Sequence, residues 1–245
     1  MGPHGCDDTK REIGHDEAED CERAGDQTRR GGLTSMTLTV ADHYEKHLGP
    51  IYTRMVGDVD AAISRSDAEL DALPLPSTSG GTAVDLGAGF GLHSLPLARR
   101  GFSVVAIDSY EPLLKELVSR KGSLPISTVN ADLLAFRAHT PKPVDVIVCM
   151  GDTLTHLPNH SAVELLFRDV AASLRPGGLF AATFRDYVSS PLQGDARFKL
   201  RLSPEWVVEH LSSLGLTTRC DAGPGGMIRI TARMPGPTGA AEAFP

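Results

Sequence analysis

The stretch Val84-Asp85-Leu86-Gly87-Ala88-Gly89-Phe90-Gly91-Leu92-His93-Ser94 changes its hydrophobic period part way along. Ala83, Val84 and Leu86 form a short apolar run that stops at glycine, and Leu92, Leu95, Leu97 and Ala98 then recur at helical spacing. The reading is strand, glycine turn, helix. Gly87, Gly89 and Gly91 strip the Cβ atoms from the turn, so the backbone can close on a small molecule. Many α/β proteins carry such glycines for geometric reasons alone, and the neighbouring acids decide more. Asp108 closes the next apolar run, Val104-Val105-Ala106-Ile107, where an acid at the end of a second strand can bind both hydroxyls of a ribose. Asp85 directly precedes the glycines, whose pattern is G-x-G-x-G, with Leu92 after Gly91, where a dinucleotide site favours G-x-G-x-x-G. An acid beside the loop repels a pyrophosphate and suits a cation, such as the sulfonium and ammonium of S-adenosyl-L-methionine.

These two stretches, residues 84–91 and 104–108, resemble the first two motifs of the class I S-adenosylmethionine-dependent methyltransferases. The resemblance implies an α/β fold: a doubly wound, seven-stranded, mainly parallel Rossmann-like sheet whose last strand is antiparallel. Two further stretches follow in the family's order. Asn130-Ala131-Asp132-Leu133-Leu134 comes after a third strand at about residues 126–129, and the family usually bonds the adenine amino group with an acid there, hence Asp132. Asp132 can equally cap the short helix carrying Leu133, Leu134 and Phe136, and the two roles are compatible. Val144-Asp145-Val146-Ile147-Val148-Cys149-Met150 reads as a central strand covered on both faces, and polar residues beyond its carboxyl end should face the transferred methyl. The resemblance thus implies a cofactor site lined by Asp85, Gly87, Ala88, Gly89, Asp108, Ser109, Ala131, Asp132, Leu133 and Met150.

The substrate side is similar to the glycine N-methyltransferase branch. Gly151-Asp152-Thr153-Leu154-Thr155-His156-Leu157-Pro158 stands where that branch has G-N-S-F-A-H-L, and Arg175-Pro176-Gly177-Gly178 with Phe184-Arg185-Asp186-Tyr187 stands where it has R-P-G-G and R-N-Y. Carried across, Arg185 would hold a substrate carboxylate with its planar, permanently charged fork, and Tyr187 would match the tyrosine of that motif. Asp152 replaces the family's asparagine, which puts glycine itself in doubt and favours an amine. His156 reads either as a base or as part of a structural loop signature; Arg185 reads either as a substrate clamp or as a structural arginine paired with Asp186 or Asp152. No D/N-P-P-Y/F follows the fourth strand, which speaks against methylation of adenine in DNA or of glutamine in proteins.

The remaining chain frames this centre. With 245 residues, 41% of them hydrophobic, one core can be buried but not two. Residues 1–35 hold nine acids and five bases with Ile13 and Leu33 almost alone as large aliphatics, so they read as a disordered acidic tail, with folding and natural translation expected to start near Met36. The resemblance implies a methyltransferase domain over residues 36–234, and 235–245 are expected to be a second disordered end. Two helical patterns precede the first strand: Val40, Tyr44, His47 and Leu48, then Ile51, Met55, Val59 and Ile63. The family places such helices over the cofactor pocket, and Tyr44 and Tyr52 are the aromatic candidates there, with plain packing as the alternative. Later helices are expected at about residues 112–121, 161–174 and from Pro204, and later strands at 179–184, 216–220 and 227–232.

A net charge of −7 argues against sequence-independent nucleic-acid binding. No apolar run approaches the roughly 20 residues that cross a bilayer, and the expected compartment is cytoplasmic. Cys6, Cys21, Cys149 and Cys220 form no C-x-x-C pair, so neither a metal site nor a disulfide is expected, and His4, Cys6, His15 and Cys21 match no zinc spacing. The expectation is methyl transfer from S-adenosyl-L-methionine to a small molecule, an amine nitrogen first and an oxygen second. Its rivals are a non-catalytic cofactor-binding module, suggested by the short, polar residues 188–202, and a nicotinamide-dependent oxidoreductase.

Overall fold

The computed structural model describes residues 51–77, 80–140, 143–189 and 199–236. The expected acidic tail, Tyr44, the first helical pattern and all but the first two residues of the expected C-terminal end lie outside the described residues.

Seven strands form one sheet: β1 (Thr82–Leu86), β2 (Ser103–Asp108), β3 (Ile126–Asn130), β4 (Val144–Cys149), β5 (Leu174–Phe184), β6 (Thr217–Ala222) and β7 (Ile228–Arg233). Their order is β3-β2-β1-β4-β5-β7-β6. β7 pairs antiparallel with both β5 and β6, and every other pairing is parallel, so β7 alone is reversed. This is the expected doubly wound sheet with an antiparallel last strand. Among the described residues the α-helices are α1 (Tyr52–Val56), α2 (Val59–Asp71), α3 (Ser94–Arg99), α4 (Glu111–Lys121), α5 (His160–Ser173) and α6 (Pro204–Ser213).

The central strands are buried on both faces, and successive residues divide between two cores. Ile147 and Cys149 of β4 face a cluster built with Phe136, Phe167, Phe180 and Leu211, under α5 and α6. Val146, Val148 and Met150 face the other cluster, built with Leu70, Leu95, Phe102 and Leu117, under α2, α3 and α4. The helices begin where their caps stand. Asp58 Oδ1 accepts from Ala61 N, Asn159 Oδ1 from Ala162 N, and Ser203 Oγ from Trp206 N, with Pro204 at the first turn of α6.

Two expectations are corrected. The pattern Ile51, Met55, Val59, Ile63 reads as one helix, but Gly57, at φ 77°, ends α1 and Asp58 starts α2. Ile51 and Met55 are accordingly exposed, at 44% and 62%, and only Ile63 of that stripe is core. The fifth strand, expected at 179–184, begins five residues earlier: α5 ends at Ser173, and Arg175-Pro176-Gly177-Gly178 form a bulge inside β5, where Val144 pairs with Leu174 and Val146 with Leu179. The bulge is fastened by Asp145, whose Oδ1 meets Arg175 Nε and whose Oδ2 accepts from Thr82 N at 2.7 Å, so one carboxylate ties β1, β4 and β5. No helix among the described residues is long and apolar enough to cross a membrane.

Candidate active site

The carboxyl ends of β1, β2 and β4 converge on the glycine turn. Gly87 and Gly91 adopt φ 74° and 96°, conformations that L side chains rarely take, and a Cβ at Gly87 would overlap the Thr153 side chain. The loop's N–H groups are turned inward: Gly87 N and Ala88 N donate to Ile107 O at 2.9 and 3.0 Å, Gly91 N to Ala88 O at 2.9 Å, and Gly89 N to Asp108 Oδ2 at 2.8 Å. Four donors that a pyrophosphate would need are thereby satisfied within the protein.

Asp108 is 4% exposed, and its other oxygen accepts from Tyr110 N at 2.8 Å. Burial raises its pKa above the ordinary carboxylate value, the N–H groups of Tyr110 and Gly89 pull it back, and Asp85 raises it again. Asp85 is 2% exposed; it lies beneath the loop and accepts from Ser94 Oγ at 2.6 Å. Its pKa is also raised, by burial first, against the opposing pull of His93 and Ser94. Neither acid forms a salt bridge to Lys or Arg among the described residues. Tyr52 lies over the loop: its ring is 5.8 Å from that of Phe90, Cε1 is 3.6 Å from where a Gly89 Cβ would stand, and its hydroxyl reaches toward Gly151. Burial raises its phenol pKa, followed by Asp108, Asp85 and Glu69. Loop, acids and Tyr52 share one negative field.

The outer parts of the expected cofactor site are also placed. Asn130 Nδ2 donates to the carbonyls of Asp108 and Ser109, and Ala131 N to Asp108 O, which binds the β3 end to the β2 end. Asp132 is exposed and accepts from Leu134 N at 2.8 Å as cap of the 3-10 turn Leu133–Ala138, the local role weighed for it. Met150 is buried and its carbonyl accepts from Thr153 Oγ1 at 2.7 Å. Cys149 is fully buried, and burial raises its thiol pKa further from reactivity.

Beyond β4, the Gly151-Asp152 turn is held by Thr183 of β5: Gly151 N donates to Thr183 Oγ1 and Asp152 N to Thr183 O, at 2.8 and 3.1 Å. Asp152 has φ 73°, the only described non-glycine residue with positive φ, a conformation that asparagine and aspartate tolerate best. That explains why a residue of this pair stands there. Its side chain does not face an empty pocket. Oδ1 accepts from Arg185 N at 2.9 Å, while Oδ2 accepts from Tyr187 Oη at 2.9 Å and pairs with Lys199 Nζ at 3.0 Å. Lys199 Nζ also contacts His156 Nε2. Burial and then Asp152 push the Tyr187 phenol up to about 12, with Arg185 opposing. The Lys199 pKa is lowered, by burial first, with Asp152 opposing and Arg185 adding.

Asp152, His156 and Tyr187 therefore meet in one cluster, and Arg185 joins it through its backbone. The Arg185 guanidinium is exposed and reaches Gly225 O at 3.3 Å, in the turn between β6 and β7; it pairs with neither Asp186 nor Asp152. Lys199 is the residue that sequence reasoning missed. Phe198, Leu200 and Leu202 alternate with Arg197, Lys199 and Arg201, which reads Lys199 as outward, yet its side chain is only 15% exposed.

Residues 83–178 match the family model of a methyltransferase domain. Glycine N-methyltransferase from Mus musculus is 26% identical over 117 residues, covering 42% of this chain and 40% of its own length. Ubiquinone biosynthesis O-methyltransferase from Xylella fastidiosa is 33% identical over 135 residues, 53% of each chain. The chain thus spans only about half, or less, of the length of these two relatives. An O-methyltransferase family protein from Burkholderia thailandensis has the same fold, with a TM-score of 0.65 at 13% identity, over 82% of this chain and 64% of its own.

Proposed function

We propose that this chain, which carries a class I methyltransferase domain similar to glycine N-methyltransferases, moves the methyl group of S-adenosyl-L-methionine to a small molecule. The observation that carries the reading is the pair of buried acids, Asp85 and Asp108, flanking an inward-turned glycine loop with no salt bridge to Lys or Arg among the described residues. A cationic ligand relieves that field, and a pyrophosphate aggravates it. The cofactor, bound here, supplies an electrophilic methyl carbon on a positive sulfur. Asp108 would hold its ribose, Asp132 its adenine edge, and Tyr52 would cover it and exclude water, while the backbone of Met150 and Gly151 would border its reactive end.

The acceptor is proposed to be an amine nitrogen, the chemistry named for the glycine N-methyltransferase relative, carried by a molecule with a carboxylate that Arg185 meets at the site rim. Transfer to oxygen is the second reading. It is favoured by Lys199, which already supplies Asp152 with the cation that an amine substrate would otherwise provide. The proposed workplace is the cytoplasm, with no nucleic-acid or membrane partner. Calorimetric titration with S-adenosylhomocysteine, with NAD as control, tests the cofactor: saturable binding of the first alone is expected, and binding of neither refutes the reading. A panel of amino acids, amines and phenols with labelled cofactor then identifies the acceptor.

A further inference from the structure

The contact between Lys199 Nζ and His156 Nε2 constrains protonation by geometry alone. A hydrogen bond between two nitrogens needs a proton on one and a lone pair on the other. An ammonium beside an imidazolium would set two donors face to face, so the pair cannot carry two positive charges while the contact stands. The surroundings fix the pair in place. Asp152 and His156 come from the turn after β4, and Arg185, Asp186 and Tyr187 from the segment after β5. Asp152 Oδ2 holds Lys199 at 3.0 Å and is itself steadied by the Tyr187 hydroxyl at 2.9 Å. Asp186 is turned away, accepting from Val188 N and Ser189 N of its own turn. The Leu200 N–H donates to Thr155 O at 2.8 Å, so the backbone after Lys199 is tied to the same 3-10 turn, Thr153–His156, that carries His156.

We propose that Lys199 and His156 together form the proton acceptor for the methyl acceptor, held in register by Asp152 and Tyr187. The inference rests on the methyl-transfer reading above. In its neutral form the pair has Nζ donating one N–H to Nε2 and presenting its lone pair to the substrate. The acceptor's lone pair forms the new bond to the methyl carbon, the carbon–sulfur bond breaks with its electrons going to sulfur, and the acceptor's N–H or O–H proton passes to Nζ. The resulting ammonium is received by Asp152 Oδ2 and His156 Nε2, and the proton leaves to water past the half-exposed imidazole. Burial, which lowers the Lys199 pKa, makes the neutral form accessible at less alkaline pH.

The test follows the His156 ring nitrogens of the full chain by 15N NMR from about pH 5 to pH 10, in the wild type and in Lys199→Met, against an ordinary histidine pKa of about 6.5. In the wild type the imidazole should protonate at least about one unit lower than in Lys199→Met and show a second inflection as Lys199 titrates. The same midpoint in both proteins overturns the proposal. If Lys199→Met fails to fold, Lys199→Arg decides: its permanent cation keeps the low midpoint and removes the second inflection, and an inflection that persists refutes the assignment to Lys199. With an acceptor from the panel, Lys199→Arg should lower kcat by about 10²-fold or more, at unchanged S-adenosylhomocysteine affinity; full activity overturns the catalytic role. Loss of cofactor binding in the wild type would instead sink the methyl-transfer reading and leave the NMR result standing.

Discussion

At the scale of single residues, replacing Asp108 by alanine should weaken S-adenosylhomocysteine binding by about 1.5–3 kcal/mol, the loss of charged hydrogen bonds to the ribose; unchanged affinity by calorimetry would remove Asp108 from the proposed site. The places of the acids around the glycine loop were legible in the sequence and that of the lysine was not, for one physical reason. Asp85 and Asp108 sit at fixed places relative to a strand and a glycine turn, so local pattern locates them. Lys199 enters from a segment more than 40 positions from His156, and its alternating apolar neighbours point it the wrong way. The place of Asp152 just beyond β4 was legible, but its internal partners were not, because they come from β5 and beyond. Asp85 makes a prediction about pH. Its folded pKa lies above the unfolded 3.8, so its stabilising contribution is fully present below 3.8 and is lost as pH rises through the folded value. Asp85→Asn keeps an oxygen for the Ser94 hydroxyl and escapes that loss. The melting temperature of Asp85→Asn relative to wild type should therefore climb between about pH 4 and pH 7; a flat difference would show that the raised pKa has no energetic weight.

At the scale of elements, strands and helices from β1 to β7 were readable to within a few residues, because hydrophobic period and caps are local. What local pattern misjudged was continuity. Gly57 divides a stripe that reads as one helix, and the Arg175-Pro176-Gly177-Gly178 bulge belongs to a strand whose pairing partner is 30 residues upstream. The bulge is packed tightly: a Cβ at Gly178 would lie 2.9 Å from Arg175 O and 3.1 Å from Val144 O, both backbone atoms that no rotamer change can move. Gly178→Ala should lower stability by about 1–3 kcal/mol in chemical denaturation, the range for overpacking. Gly177, where nothing lies within 4 Å, separates the effects of conformation and crowding: Gly177→Ala pays only for φ 78°, about 1–2 kcal/mol. A smaller loss at Gly178 than at Gly177 would contradict the crowding argument.

At the scale of the whole molecule, two cores share one sheet, and among the described residues the sheet alone contributes to both. Phe167 anchors the core under α5, fully buried and edge-on to Phe180 at 6.0 Å. Phe167→Ala should cost about 3–5 kcal/mol, a large part of a domain's usual margin, with S-adenosylhomocysteine affinity retained at low temperature because the glycine loop rests on the opposite core. Equal loss of both would mean that the two layers do not separate. The strand order bears also on how the molecule is made. A ribosome releases β1 to β5 in sequence, and each can join the growing parallel sheet as it emerges. β7 then pairs along β5, and it is among the last described residues to leave the exit tunnel. Until then β5 presents a long naked edge, so the nascent chain must be guarded from its neighbours for the whole time needed to synthesise residues 185–233.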